Sequence, residues 1–329
     1  MRNFLLLAVA ILSSLTASTT IVQAAPRDKE AATAIGTATA KQRRAVLANI
    51  KTWGYQLRFI EPADVAASPY DLVVIDHAIS ANRRFLREFT PDEVAAMKIR
   101  PDGSRRLLLA YLSIGEAERY RFYWNQDWYL APTRPAWLGQ VNPRWDGNFP
   151  VKFWDPEWQR LIFGTPDAYV DRIVAQGFDG IYLDRADVYA ELIGDNPDGK
   201  RDMAAFIVAL SGHARRSNPG FVVVMQNAEE LVANKTLRAT LDGIAKEDLF
   251  YGVEHVEKAN PPEMVAGSLA DLRLAKKSGL AVWAVEYLSD PQLARDAELR
   301  MAREGFVFLL TERSLGTLGS VLPGPQPVR

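Results

Sequence analysis

The sequence predicts an α/β protein: a single (β/α)8 TIM barrel with a long aromatic-rich insertion after its third strand. Three observations carry that expectation. Eight short apolar, β-rich runs alternate with helix-like stretches along most of the 329 residues. Several of these runs lack the apolar–polar alternation of a half-exposed strand, as parallel strands covered on both faces do. No glycine-rich phosphate turn follows the first run, "WGYQLRFIEP", which argues against an open doubly wound sheet.

In order, the runs are "WGYQL" (53–57), "DLVVID" (71–76), "RLLLAYLSI" (106–114), "DGIYLD" (179–184), "FVVVMQ" (221–226), "GIAKE" (243–247), "LAVWAVEYL" (280–288) and "FVFLLTE" (306–312). The punctuation between them is helical. Gly177, Gly279 and Gly305 each stand just before a strand, where the left-handed conformation closes a helix. Thr90-Pro91, Asp155-Pro156 and Asp290-Pro291 are cap-and-proline helix starts. Strand, helix, strand in this order gives parallel pairing through right-handed crossovers. A ninth candidate strand, "VKFWD" (151–155), belongs to the insertion at 115–150.

The ends differ from the middle. Arg2, an apolar stretch from Phe4 to Leu15 and "VQA" at 22–24 form a signal-peptide pattern over residues 1–24, too short to span a bilayer. An exported protein with no membrane contact after cleavage is therefore expected. Residues 25–50 read as a flexible lead-in, 51–314 as the barrel domain and 315–329 as a loose tail. There is no cysteine, so the chain makes no use of disulfides. Net charge is −1, which gives no electrostatic case for a nucleic-acid partner. His77, His213 and His255 form no metal-binding pair, and no metal or other cofactor is expected.

The carboxyl ends of the strands form the active face of such a barrel. Here they are acidic: Asp76, Glu116, Asp184 with Asp187, Glu229 beyond Asn227, Glu247, Glu286 and Glu312. Like charges in a poorly solvated cleft raise one another's pKa, so a cluster of this kind points to use. Individual acids have plainer readings. Asp155 reads as a helix cap, Asp187 and Glu229 equally as caps or salt-bridge partners, and Glu312 as a partner of Arg313. Arg185 could neutralise Asp184 or a neighbour. Asp184 and Glu247 are harder to explain away, since each ends an apolar strand on the same face. The insertion is crowded with aromatic side chains, among them Trp124 and Trp154, which could stack on sugar rings or form a small core for the loop itself. Paired carboxylates in an aromatic-walled cleft suit glycoside hydrolysis, where one acid protonates the leaving oxygen and the other attacks or stabilises the sugar cation. The rival is a polysaccharide-binding protein without catalysis, which would keep the aromatic wall but not need both acids. A cleft lined by so many acids would favour neutral or cationic sugars over uronic acids.

The stretches "AYLSIGEAERYRFYW", "NPRWDGNFPVKFWDPEW", "GFDGIYLDRADVY", "QNAEEL", "DGIAKEDLFYG" and "GFVFLLTERSLG", in this order over most of residues 50–318, resemble glycoside hydrolase family 114, the endo-α-1,4-polygalactosaminidases and their bacterial and archaeal relatives. The resemblance implies a (β/α)8 barrel acting on an α-1,4-linked galactosamine-containing polysaccharide. It implies a catalytic pair at the ends of strands four and six, Asp184 as nucleophile and Glu247 as acid/base in a retaining mechanism. Candidate sugar contacts on and around these stretches are Asp76, Tyr111, Glu116, Trp124, Trp154, Asp187, Asn227, Glu229, Tyr251 and Glu286. Glu286 departs from the family pattern, where an Asp is expected.

Overall fold

Eight parallel strands are hydrogen-bonded in sequence order: β1 (Trp53–Gln56), β2 (Leu72–Ile75), β3 (Leu107–Ser113), β4 (Gly180–Asp184), β5 (Val222–Gln226), β6 (Gly243–Glu247), β7 (Ala281–Glu286) and β8 (Val307–Leu310). All eight expected runs are strands. The computed structural model describes residues 39–82 and 85–320. The expected signal peptide, the lead-in as far as residue 38 and the tail from 321 lie outside the described residues.

Side-chain parity divides the core in two. Residues at alternate positions, including Trp53, Tyr55, Leu109, Tyr182, Val224, Trp283 and Leu309, fill the barrel interior. Their neighbours pack outward against the helices. Both faces of each strand are therefore apolar, which is why the sequence shows little alternation. The interior is dominated by large rings, with Tyr55 and Tyr182 at 5.2 Å and Trp53 and Trp283 at 6.5 Å between centroids. Glycine makes room for them: a Cβ on Gly243 would stand 2.6 Å from the Trp283 ring.

The helix signals behave as expected. Thr90, Asp155 and Asp290 each accept a hydrogen bond from a first-turn amide, and proline follows each. Gly177 and Gly305 close their helices in the left-handed conformation, and Gly279 lies one residue past its cap with φ 84°.

Three expectations need correction. The lead-in is not loose from Thr39 onward. Ala40–Leu47 is a helix with a full capping box at Thr39, docked on the amino-terminal end of the barrel. Its Arg43 reaches the fully buried Asp242 at 3.0 Å, and Arg215 reaches the same carboxylate at 2.6 Å. Asp242 also accepts from the Val223 amide at 3.0 Å. Second, "VKFWD" is not a strand. The insertion's strand is Asn148–Pro150, antiparallel to Glu116–Glu118. The partner ends at Glu116, and Lys152–Asp155 turn into the next helix cap. A second hairpin, Ala78–Asn82 with Phe85–Glu88, follows β2.

Third, the tail is fastened as far as Ser320. β1 and β8 share no ladder; the chain at 315–320 runs between them. The Tyr55 amide donates to the Leu318 carbonyl at 3.2 Å and the Leu57 amide to that of Leu315 at 2.9 Å. On the other side Ser320 bridges antiparallel to Leu310, and the Tyr70 hydroxyl donates to the Gly319 carbonyl at 2.6 Å. Unpaired backbone at the seam would be costly to bury, and this segment satisfies it.

Asp242 offers a test of how the lead-in helix is held. Asp242→Ala leaves two guanidinium groups buried around an empty acceptor, and it should cost about 3–5 kcal/mol in equilibrium denaturant unfolding.

Candidate active site

The inward positions of β4, β5 and β6 end in polar side chains. Leu183 pairs with Met225, which brings the next residues, Asp184 and Gln226, level. Gln226 pairs with Ala245, so Glu247 lies one inward layer higher. The Gln226 amide bridges the two acids: its Nε2 donates to Asp184 Oδ1 at 2.9 Å and to Glu247 Oε2 at 2.7 Å. The two N–H bonds of a planar amide diverge by ~120°, so those carboxylate oxygens are about 5 Å apart.

Each carboxylate is held at its other oxygen by a phenol. Tyr111 donates to Asp184 Oδ2 at 2.7 Å, and Tyr287 donates to Glu247 Oε1. Asn227 Nδ2 adds a third donor to Glu247, at 3.1 Å. Burial pushes the phenols of Tyr111, Tyr287 and Tyr182 well up, so all three remain neutral. Burial, reinforced by the neighbouring Glu247, raises Asp184 to about 7. Burial also raises Glu247, opposed by its Tyr287 hydrogen bond. Two acids this close in a shielded site share one proton near neutrality. Glu247 receives three donors and Asp184 two.

The backbone at these strand ends is unusual. Arg185, Asn227 and Asp248, the residues directly after Asp184, Gln226 and Glu247, all have positive φ, at 58°, 56° and 49°. Left-handed geometry at a non-glycine residue is disfavoured, and three neighbouring strands adopt it immediately beyond the polar cluster. Gly115 permits the close approach this requires, since a Cβ there would stand 2.1 Å from the Arg185 carbonyl oxygen.

The other expected site residues divide. Tyr111 and Asn227 join the carboxylate pair. Most remaining acids are neutralised and leave no broadly acidic cleft. Asp76 pairs with the fully buried Arg121 at 2.8 Å, and Arg121 also pairs with Glu118 at 2.5 Å. Glu116 contacts Arg185 at 3.1 Å and accepts from Asn142 and Asn148, clamping the insertion. Asp187 lies 3.4 Å from Arg185 and stays partly exposed. Glu229 is buried, 3.4 Å from Lys246, and accepts from Ser268. The charge argument for a cationic substrate therefore loses most of its acids.

Glu286 and Tyr251 point away from the cleft. Parity turns Val285 and Tyr287 inward and Glu286 outward, where it accepts from the Phe250 amide at 2.8 Å and is raised by burial to about 8. Tyr251 donates to Asp296 on the outer helix Pro291–Glu304 at 2.7 Å. Trp124 is buried in the insertion's own core, at 4.8 Å from Phe149 and 5.2 Å from Trp128. Trp154 packs edge-on against buried Phe153 at 5.0 Å. Tyr120, Phe122, Tyr129 and Trp145 are the exposed rings of this loop. His77 is buried, lowered to about 4 by desolvation, and rests on Tyr169. Among the described residues no cluster of acids, histidines or cysteines could hold a metal ion.

Sequence reasoning missed Gln226 and Tyr287. Both were visible as the polar residue at an inward position of an apolar strand end. Counting in steps of two from Trp283 selects Tyr287 and rejects Glu286.

Comparison with known proteins identifies the family and the fold. A model of glycoside-hydrolase family GH114 matches residues 32–325. An uncharacterized protein of Deinococcus radiodurans is 35% identical over 286 residues, covering 85% of this chain and 86% of its own length. The uncharacterized protein MJ1477 of Methanocaldococcus jannaschii is 37% identical over 246 residues, covering 72% of this chain and 66% of its own. The structure of the glycoside hydrolase domain of PelA from Pseudomonas aeruginosa superposes with a TM-score of 0.61 at 19% identity, over 83% of this chain and 98% of that domain. At that identity the likeness speaks for the fold.

Two outcomes follow from the placement of these residues. A carboxyl whose folded pKa is raised gives stability below its unfolded pKa that is lost as pH climbs through the folded value. Asp184, raised to about 7, should therefore weaken the fold between pH 4 and 8. Asp184→Asn should melt close to wild type at pH 4 and several degrees above it at pH 8; an equal difference at both would contradict the raised pKa. Trp124→Ala should lower stability by about 3 kcal/mol, as loss of a buried ring does, with sugar affinity of the folded fraction unchanged.

Proposed function

We propose that this chain, which belongs to glycoside-hydrolase family GH114, cleaves an α-1,4-linked galactosamine-containing polysaccharide internally through Asp184 and Glu247. The single observation that carries the catalytic assignment is the shared Gln226 amide. A pair held about 5 Å apart suits a retaining mechanism, which uses carboxyl groups ~5–5.5 Å apart; an inverting pair needs ~6.5–9.5 Å to admit water. A binding protein without catalysis has no need to hold two like charges together at the cost of raising their pKa values.

In this reading Asp184 attacks the anomeric carbon while Glu247 protonates the leaving oxygen. Water then attacks the anomeric carbon as Glu247 removes its proton, and the bond to Asp184 breaks. The first step needs the shared proton on Glu247. A sugar that displaces the Asn227 or Gln226 donor from Glu247 would raise that carboxyl and hold the proton there. Tyr111 remains to stabilise the Asp184 carboxylate. The sugar and linkage rest on the family resemblance.

We also propose that the protein acts outside the cytoplasm, on the strength of the signal-peptide pattern at 1–24. N-terminal sequencing of the protein recovered from culture should then begin at Ala25.

Asp184→Asn and Glu247→Gln should each lower kcat on polygalactosamine by about 1000-fold or more with the fold intact. Azide separates the roles. It should rescue the nucleophile variant with inverted product, and the acid/base variant with retained product. Rescue of Glu247→Gln with inversion would exchange the two assignments, and wild-type activity in either variant would remove the mechanism. Activity should fall as pH rises above about 7, where the pair loses its shared proton.

A further inference from the structure

Tyr287, which donates to Glu247, also walls a groove of about 560 Å³ at the carboxyl ends of β7 and β8, with Thr311, Glu312, Arg313 and Thr317. A second depression, also about 560 Å³, shares Glu257 and Ser289 with the first and reaches Asp290 and Gln292 at the start of the outer helix. Together they form a trough that begins at the phenol donating to Glu247 and leads outward. Both parts are open to solvent, as a groove that receives a chain must be.

The trough is built rigidly. Arg313 Nη2 donates to both oxygens of Asp248 at 2.8 and 2.9 Å, and its guanidinium lies over the Tyr287 ring at 4.4 Å. Glu257 has φ 59° and accepts at one oxygen from the Ser289 amide, the Ser289 hydroxyl and the Asp290 amide, at 2.5, 2.6 and 2.9 Å. Backbone strain of that kind survives where the surroundings over-determine it, often beside a ligand.

Its chemistry is that of a sugar site. The Thr311 hydroxyl is buried with no hydrogen-bond partner. Val256, 73% exposed, supplies an apolar edge. Glu312 has no ion pair among the described residues, because its neighbour Arg313 turns to Asp248 instead. Glu257 and Glu312 therefore leave the trough negative, able to accept hydroxyl or amine donors and hostile to a carboxylate.

We infer that this trough seats the leaving-group half of the polysaccharide, holding more than one sugar unit beyond the cleaved bond and rejecting uronates. The inference rests on the hydrolytic reading above. A Glu247 acting as acid stands beside the leaving oxygen, and the trough starts at Glu247's own donor, while Asp184 is fastened from the other side by Tyr111. Internal cleavage requires chain to be held on both sides of the bond, and this surface supplies one side.

The test uses α-1,4-linked galactosamine oligomers of defined length, labelled at the reducing end, with wild type, Thr317→Trp and Glu312→Gln. Thr317 and Glu312 are both exposed, so neither change threatens the fold. Wild type should release labelled fragments of two units or more. Thr317→Trp, which fills the groove, should lower kcat/KM on long oligomers by about 10-fold, or ~1.4 kcal/mol, and shift cleavage toward shorter labelled fragments. It should leave an aryl galactosaminide unaffected, since that small leaving group does not need the trough. Glu312→Gln should weaken the discrimination against oligogalacturonate in competition by about 3-fold. An unchanged cleavage pattern with Thr317→Trp, or unchanged discrimination with Glu312→Gln, overturns the inference. If wild type cleaves none of the oligomers, the hydrolytic reading fails, and calorimetry decides the trough alone. Binding weakened about 10-fold by Thr317→Trp supports it, and equal or absent binding overturns it.

Discussion

One amide group organises this molecule's chemistry. Gln226 donates from a single nitrogen to Asp184 and Glu247, and that requirement sets what the three central strands must do. β4, β5 and β6 have to be adjacent, parallel and in a register that turns all three side chains inward. The rings filling the barrel below them, Tyr55, Tyr182, Trp53 and Trp283, form an incompressible floor that fixes their height. Tyr111 and Tyr287, from the strands on either side, complete the set. Uncharged donors surround two acids, so the pair is held in place without being neutralised.

That arrangement gives the remaining charges a clear purpose. Most acids around the rim are matched by a cation: Asp76 by Arg121, Glu116 by Arg185, Glu229 by Lys246 and Asp248 by Arg313. Unmatched, they would repel the carboxylate pair and raise its pKa further. Matched, they tie the loops down and add little net charge beside the central pair. The left-handed residues after β4, β5 and β6 turn the chain sharply away from the cleft. The polar side chain is then the last one to face the interior.

The barrel was legible because its signals are local: apolar runs, glycine stops and cap-proline starts act within a few residues. Asp184 and Glu247 were legible because each is the acid that ends an apolar strand. The rest depended on information that a charge count does not hold. Glu286 was chosen as an acid near a strand end, but one step of parity places it behind the sheet and Tyr287 in the cleft. Trp124 and Trp154 were read as candidate sugar contacts from composition, whereas Trp124 is spent on the insertion's core and Trp154 packs, half-buried, against Phe153. Tyr251 lies at a matching motif yet bonds to an outer helix. The pairing of rim acids with arginines distant in sequence, such as Asp76 with Arg121, emerges only when the loops are folded together.

Residues 315–320, inserted between β1 and β8, bear on how the protein is made. The first strand emerges from the ribosome about 260 residues before the segment that completes its edge. Until then β1 presents an unpaired edge, the feature through which chains add to one another. Contacts spanning this much sequence form slowly, and intermediates lacking them are vulnerable.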